Sequence, residues 1–154
     1  MVLVTSLKEQ ILEKRAAIRA AHQAGATGQA VSSSLLALAE NTIAQLYRVT
    51  LEGLDVSVDH QLSERISIVA LGGFGRAEMS PHSDIDLMIL NRGKPVDSVH
   101  KFSAELFRNI WDVGFQVGHS VRTIDDCIAL GKSDLSAKTA LMEARFLAGS
   151  ASLF

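Results

Sequence analysis

Ile66-Ser67-Ile68-Val69-Ala70-Leu71 is a short, β-branched apolar run that ends on Gly72-Gly73. A run of this kind predicts a buried strand followed by a tight turn, and it constrains everything around it. A second strand-like run covers 85–90 and closes at Asn91-Arg92-Gly93. A third, 115–122, alternates apolar and polar residues. Between these two, 96–113 carries Val99, Phe102, Leu106, Phe107, Ile110 and Trp111 at helical spacing, and Gly114 stops it. Strands separated by a helix of this length predict a small α+β unit.

The flanks read as helices. Ser6-Leu7-Lys8-Glu9 has the spacing of a capping box, followed by Leu7, Ile11, Leu12 and Ile18 on one face. Gly25-Ala26-Thr27-Gly28 breaks that helix, and a second is expected over 29–51 with Val31, Leu35, Ala39, Ile43 and Leu46 facing inward. Thr123 is placed to cap a short helix reaching Leu130, with Gly131 in the left-handed position after it. A last helix is expected over 134–148, ending at Gly149.

Composition narrows the function classes. The 154 residues are 47% hydrophobic and 21% charged, enough for one core. With 15 Lys and Arg against 17 Asp and Glu, a broad cationic surface for nucleic acid is not expected. The single cysteine, Cys127, excludes a disulfide framework and a multi-cysteine metal site, and it reads as core. No apolar run approaches the ~18 residues of a membrane span, so a cytoplasmic protein with no membrane partner is expected.

Chemistry concentrates between Leu71 and Leu90. Asp84 and Asp86 are two residues apart, which on a strand places both on one face while Ile85, Leu87 and Ile89 fill the other. Crowded carboxylates repel unless a cation lies between them, and hard oxygen ligands suit Mg²⁺ or Mn²⁺. Asp-x-Asp alone equally describes two solvated aspartates at a strand start. Gly72 and Gly73 let backbone approach a ligand closely, as a triphosphate needs. The third glycine of a dinucleotide fingerprint and the Lys-Ser/Thr of a P-loop are both missing. Ser83 offers a hydroxyl to phosphate. Arg76 is a candidate phosphate partner or a solvated helix arginine; Arg122 and Arg145 are weaker candidates of the same kind. The five histidines lack metal-ligand spacing.

Gly-Gly followed by Ser-Asp-x-Asp on the next strand resembles the nucleotidyltransferase superfamily that includes DNA polymerase beta. More narrowly, Gly72-Gly73-Phe74-Gly75-Arg76-Ala77-Glu78 with Ser80-Pro81-His82-Ser83-Asp84-Ile85-Asp86-Leu87 is similar to the PII uridylyltransferases. Trp111 to Thr123 and Leu141 to Gly149 resemble the same family. The resemblance implies a polymerase-beta-like palm over 56–132, an N-terminal helical segment over 1–55, and the start of a helical extension over 133–154. A mixed sheet of about three strands is expected.

The resemblance also implies a function. It is metal-dependent transfer of UMP from UTP to a tyrosine of the PII signal protein, with release of pyrophosphate, in bacterial nitrogen regulation. On this reading Asp84 and Asp86 hold the metal and do the catalytic work. Gly72, Gly73, Ser83 and Arg76 bind the nucleotide. The chain ends at Phe154, before the family's hydrolase and ACT domains, so a fragment or a short protein keeping the transferase core is expected. Two rivals stay open: an adenylyltransferase acting on glutamine synthetase, and a catalytically weak nucleotide-binding or protein-docking module. Many superfamily members carry a third carboxylate on the third strand. Here Phe115, Val117 and Val121 make one face of that strand apolar, with His119. The other face offers Gln116, Gly118, Ser120 and Arg122. Asp84 and Asp86 are therefore expected to be the only direct carboxylate ligands.

Overall fold

The computed structural model describes residues 2–54, 61–93 and 96–154. Two long helices open it, α1 (Val2–Gln23) and α2 (Gly28–Gly53). They break where the glycines predict, and the Thr27 hydroxyl caps α2 by accepting from the Ala30 amide at 3.2 Å. The expected capping box does not form. α1 is already helical at Val2, so Ser6 lies inside it and its hydroxyl accepts from Gln10 Nε2 at 3.4 Å.

After α3 (Leu62–Arg65) come β1 (Ile66–Ala70), α4 (Gly72–Gly75), β2 (Ile85–Asn91), α5 (Asp97–Asp112) and β3 (Val117–Thr123). The chain then runs through α6 (Ile124–Ser133), α7 (Leu135–Met142) and β4 (Arg145–Gly149). The strands form one mixed sheet in the order β3-β2-β1-β4. β1 is antiparallel to both β2 and β4, whereas β2 and β3 are parallel and joined through α5. This is the expected α+β architecture with one strand more. The expected boundary between 55 and 56 lies outside the described residues.

The sheet is packed on both faces. Ile66, Ile68, Ile85, Leu87 and Ile89 point toward α1, α2 and α5, meeting Ile11, Ile43, Leu46, Phe102 and Leu106 in the main core. Burying each of these large apolar side chains is worth roughly 1.5–3 kcal/mol. Alternation sends Val69, Met88 and Leu90 to the other face, where they meet Leu153 with Cys127 and Leu141 against them. β1 is consequently buried along its whole length.

Three local expectations are corrected. The helix expected over 134–148 stops at Met142, and 145–149 is the edge strand β4. Gly131 lies within α6, which runs on to Ser133, so no left-handed cap falls there. Trp111, expected in the core, is 49% exposed because α5 turns it to the rim, where its ring meets His119 edge-on at 5.3 Å.

β4 depends on Gly149. Its φ is +94°, and a Cβ there would collide with the Ile66 carbonyl. Both faults are backbone faults, so no side-chain rotation relieves them. Gly149→Ala is expected to cost at least ~2 kcal/mol in urea unfolding. A loss below ~0.5 kcal/mol would show that β4 does not seat against β1 as described.

Candidate active site

β2 has seven residues, six of them buried, and the one exposed is Asp86. A carboxylate in a central strand is held by what surrounds it. On one side, Gly72 opens the turn after β1 with φ +56°, and the Leu71 amide donates to the Asp86 carbonyl at 3.0 Å. On the other side, Gly118 sits opposite Asp86 in the parallel β2–β3 register, so the two residues share a face. A Cβ at Gly72 would lie 3.1 Å from Asp86 Oδ2, and one at Gly118 would lie 2.5 Å from Oδ1. The carboxylate therefore fills space that exists because both neighbours lack side chains. Partial burial raises the Asp86 pKa above the ordinary carboxylate value, and the negative charge of Asp84 raises it further.

Asp84 stands in the exposed lead into β2. Gly73 is the second residue of α4; a Cβ there would meet only the Glu78 carbonyl at 3.4 Å and Arg76 Nη2 at 3.8 Å. Ser83 closes its own loop, with its hydroxyl donating to the Ser80 carbonyl at 2.9 Å and accepting from the Ser80 amide at 2.8 Å. Arg76 is held by two carboxylates, Glu78 at 2.9 Å and Glu143 at 2.6 Å, which raise its pKa. A phosphate at Arg76 would have to compete with both.

Gly73, Arg76 and Ser83 share a cleft of about 490 Å³ with His22, Gly28 and Ser32 from the α1–α2 corner. Asp84 and Asp86 are not among its walls. The structure thus sorts the sequence candidates into a carboxylate cradle, Asp86 between Gly72 and Gly118, and a neighbouring cleft behind the glycine turn.

Two aspartates that flank β3 have other settings. Asp126 accepts from the Thr123 amide at 2.8 Å and from its hydroxyl at 2.7 Å, completing the cap of α6, and these bonds lower its pKa. Asp112 lines a separate cleft between α1, α2 and α5. Among the described residues no group of three or more His, Cys, Asp or Glu is placed to hold a metal ion. Asp84 and Asp86, with the cradle a Cβ would fill, are the residues that fit a divalent cation needing phosphate and water as further ligands. On the opposite face of β3, His119 packs against Phe107 with ring centroids 4.3 Å apart, as the alternation predicts.

For three neighbours of the site, the contacts made in the fold were not readable from the sequence. Gly118 gave no local signal, since its importance comes from register with Asp86 across a parallel pair. Glu143 and Arg145 reach the glycine turn only because β4 returns to the sheet.

Comparison with known proteins finds sequence relatives that are named as enzymes of one kind. A protein of Cereibacter sphaeroides is 42% identical over 117 residues, covering 76% of this chain and 13% of that protein. One of Azospirillum brasilense is 34% identical over 152 residues, 99% of this chain and 16% of that protein. One of Caulobacter vibrioides is 33% identical over 143 residues, 93% and 15% respectively. Each is named bifunctional uridylyltransferase/uridylyl-removing enzyme. The chain is a sequence relative of that enzyme family, as the glycine turn and the Ser-Asp-x-Asp run imply. It spans about one seventh of the length of these relatives. No family model matches the chain.

The raised Asp86 pKa has a stability consequence. A carboxylate whose folded pKa lies above its unfolded value is a burden on the fold wherever it is charged. The burden lifts as pH falls through the carboxylate range. Asp86→Asn is therefore expected to raise the melting temperature of the metal-free protein at about pH 7, with the gain shrinking toward about pH 4. A variant less stable than wild type at neutral pH would contradict the crowding of Asp84 and Asp86.

Proposed function

We propose that this chain is the nucleotidyltransferase part of a PII uridylyltransferase, built as a polymerase-beta-like palm. It transfers UMP from UTP to a tyrosine of a PII-type signal protein, in the cytoplasm and in the service of nitrogen regulation. The palm expected over 56–132 draws its edge strand β4 from the 133–154 segment. The observation that carries the proposal is the Asp86 carboxylate between two side-chain-free positions, beside Asp84. Relatives named for uridylyl transfer support the choice of nucleotide. Among the described residues no helix is long and apolar enough to cross a membrane.

In the transfer, the acceptor hydroxyl oxygen bonds to the α-phosphorus of UTP. The bond from that phosphorus to the α–β bridging oxygen breaks, the hydroxyl proton leaves, and pyrophosphate departs. Asp84 and Asp86 would hold Mg²⁺ or Mn²⁺, which when bound neutralises phosphate charge and stabilises the leaving group. Gly72 and Gly73 carry no side chain of their own, so phosphate oxygens can approach their backbone closely. Ser83, at the mouth of the second strand, offers its hydroxyl to phosphate where that hydroxyl turns from the Ser80 carbonyl. Arg76 joins them where phosphate displaces Glu78 or Glu143.

Labelled UTP and ATP, each offered with a PII-type protein and with glutamine synthetase, test the reading. Incorporation from UTP into the PII-type protein is expected, falling at least about a hundredfold in Asp86→Asn or Asp84→Asn. Incorporation from ATP into glutamine synthetase would favour the adenylyltransferase. UTP binding with no transfer would favour a docking module. Gly118→Ala, with a new Cβ in the space of Asp86 Oδ1, is expected to weaken Mn²⁺ binding measured by titration while leaving the melt within a few degrees of wild type. Unchanged Mn²⁺ affinity would remove the cradle from the site.

A further inference from the structure

The glycine turn is bounded in front by Asp86, and something must also hold it from behind. Arg145 opens β4, paired across the sheet with Ala70, the residue at the end of β1 just before the turn. Its half-buried guanidinium points back under α4. Nε donates to the Gly75 carbonyl at 3.1 Å and Nη2 to the Phe74 carbonyl at 2.9 Å. Nη1 pairs with Glu40 of α2, and the group lies 5.7 Å from the centre of the buried Phe74 ring. One planar cation thus ties the two carbonyls ending α4 to the long helix behind them.

The backbone leaves little slack there. A Cβ at Gly75 would collide with the Glu143 carbonyl and lie 3.1 Å from that of Ala70, so the turn is pressed between the end of β1 and the lead into β4. Fixing two successive carbonyls fixes the peptide planes that carry them, and with them the approach of Gly72 and Gly73 to a ligand. A planar fork with donors in several directions does this; an ammonium on a flexible stem does not.

We infer that Arg145 is a positioning residue, which holds the glycine turn in its ligand-ready geometry through the Phe74 and Gly75 carbonyls rather than touching phosphate itself. The ligand is the triphosphate of the reading above, on which this inference rests for its functional meaning. All three nitrogens of the Arg145 guanidinium already donate, to two carbonyls and a carboxylate that neutralises its charge, which suits it poorly to binding phosphate.

Arg145→Lys, in the whole chain, keeps the charge and removes the fork. Amide hydrogen exchange reads the turn directly, through Gly75 bonded to Leu71 at 2.8 Å and Arg76 bonded to Gly72 at 3.0 Å. Exchange of those two amides is expected to quicken by about tenfold or more while α5 is unchanged. UTP binding with Mn²⁺ should weaken by a similar factor, with Mn²⁺ binding alone unaffected. Exchange unaltered at the turn, or quickened evenly across the chain, would overturn the inference. If Arg145→Lys does not fold, Glu40→Gln removes one anchor and leaves the arginine. Local quickening at Gly75 and Arg76 then supports the assignment and its absence refutes it. Wild-type protein that binds no UTP would sink the proposed nucleotide chemistry, and the exchange result would still decide the role of Arg145.

Discussion

Close backbone contact around the turn from β1 to α4 is the constraint on which the site depends. On the front, Gly72 and Gly118 leave the room that Asp86 occupies. On the back, Gly75 leaves the room into which the Glu143 backbone fits. Protein interiors pack to near-crystalline density, so a methyl group at Gly75 meets backbone and has nowhere to go without moving a strand, whereas one at Gly72 or Gly118 meets only the Asp86 carboxylate. The two sides are joined by the four residues of α4. β4 and its lead-in thus touch the glycine turn from the back, through Arg145 and the Glu143 backbone.

Much of this was legible from residues alone, because the informative signals were local. β1 and β2 announce themselves by β-branched runs ending in glycine or Asn-Arg-Gly, and alternation along β3 correctly sends His119 toward α5. The candidate pair Asp84 and Asp86 and the glycine turn were visible for the same reason. β4 was not. Glu143, Ala144, Arg145, Leu147 and Ala148 are mostly good helix formers, and a helical reading of 134–148 follows from propensity. Pairing with β1 overrides propensity there, and a single sequence does not display that partner. Ser6 to Glu9 failed in the opposite way, since the capping pattern is present but the helix begins before it. Gly118 was read on the site-facing side of β3 and Arg145 as a weaker phosphate candidate, but their contacts with Asp86 and with the Gly75 carbonyl were not legible because each partner is distant in sequence.

The charges around the turn make a final argument about how a polyanion can be held. Arg76 is engaged by Glu78 and Glu143, and Arg145 by Glu40 and two carbonyls. Asp84 and Asp86 add negative charge at the front. The chain's own cations nearest the glycine turn are thus already matched, and the turn itself contributes only neutral amides. A triphosphate brought here meets a site with a surplus of carboxylates, and Coulomb repulsion at short range would expel it. On the proposed function, Asp84 and Asp86 would hold a divalent cation that arrived with the nucleotide, which would turn a repulsive pair into ligands and offset phosphate charge at the same time. Nucleotide and metal should accordingly bind with positive coupling, each weakly alone. The same surplus explains why Arg145 is worth more holding the backbone than offering its charge: a cation already compensated by Glu40 adds little attraction, whereas a rigid fork behind the turn keeps its amides aimed at the front.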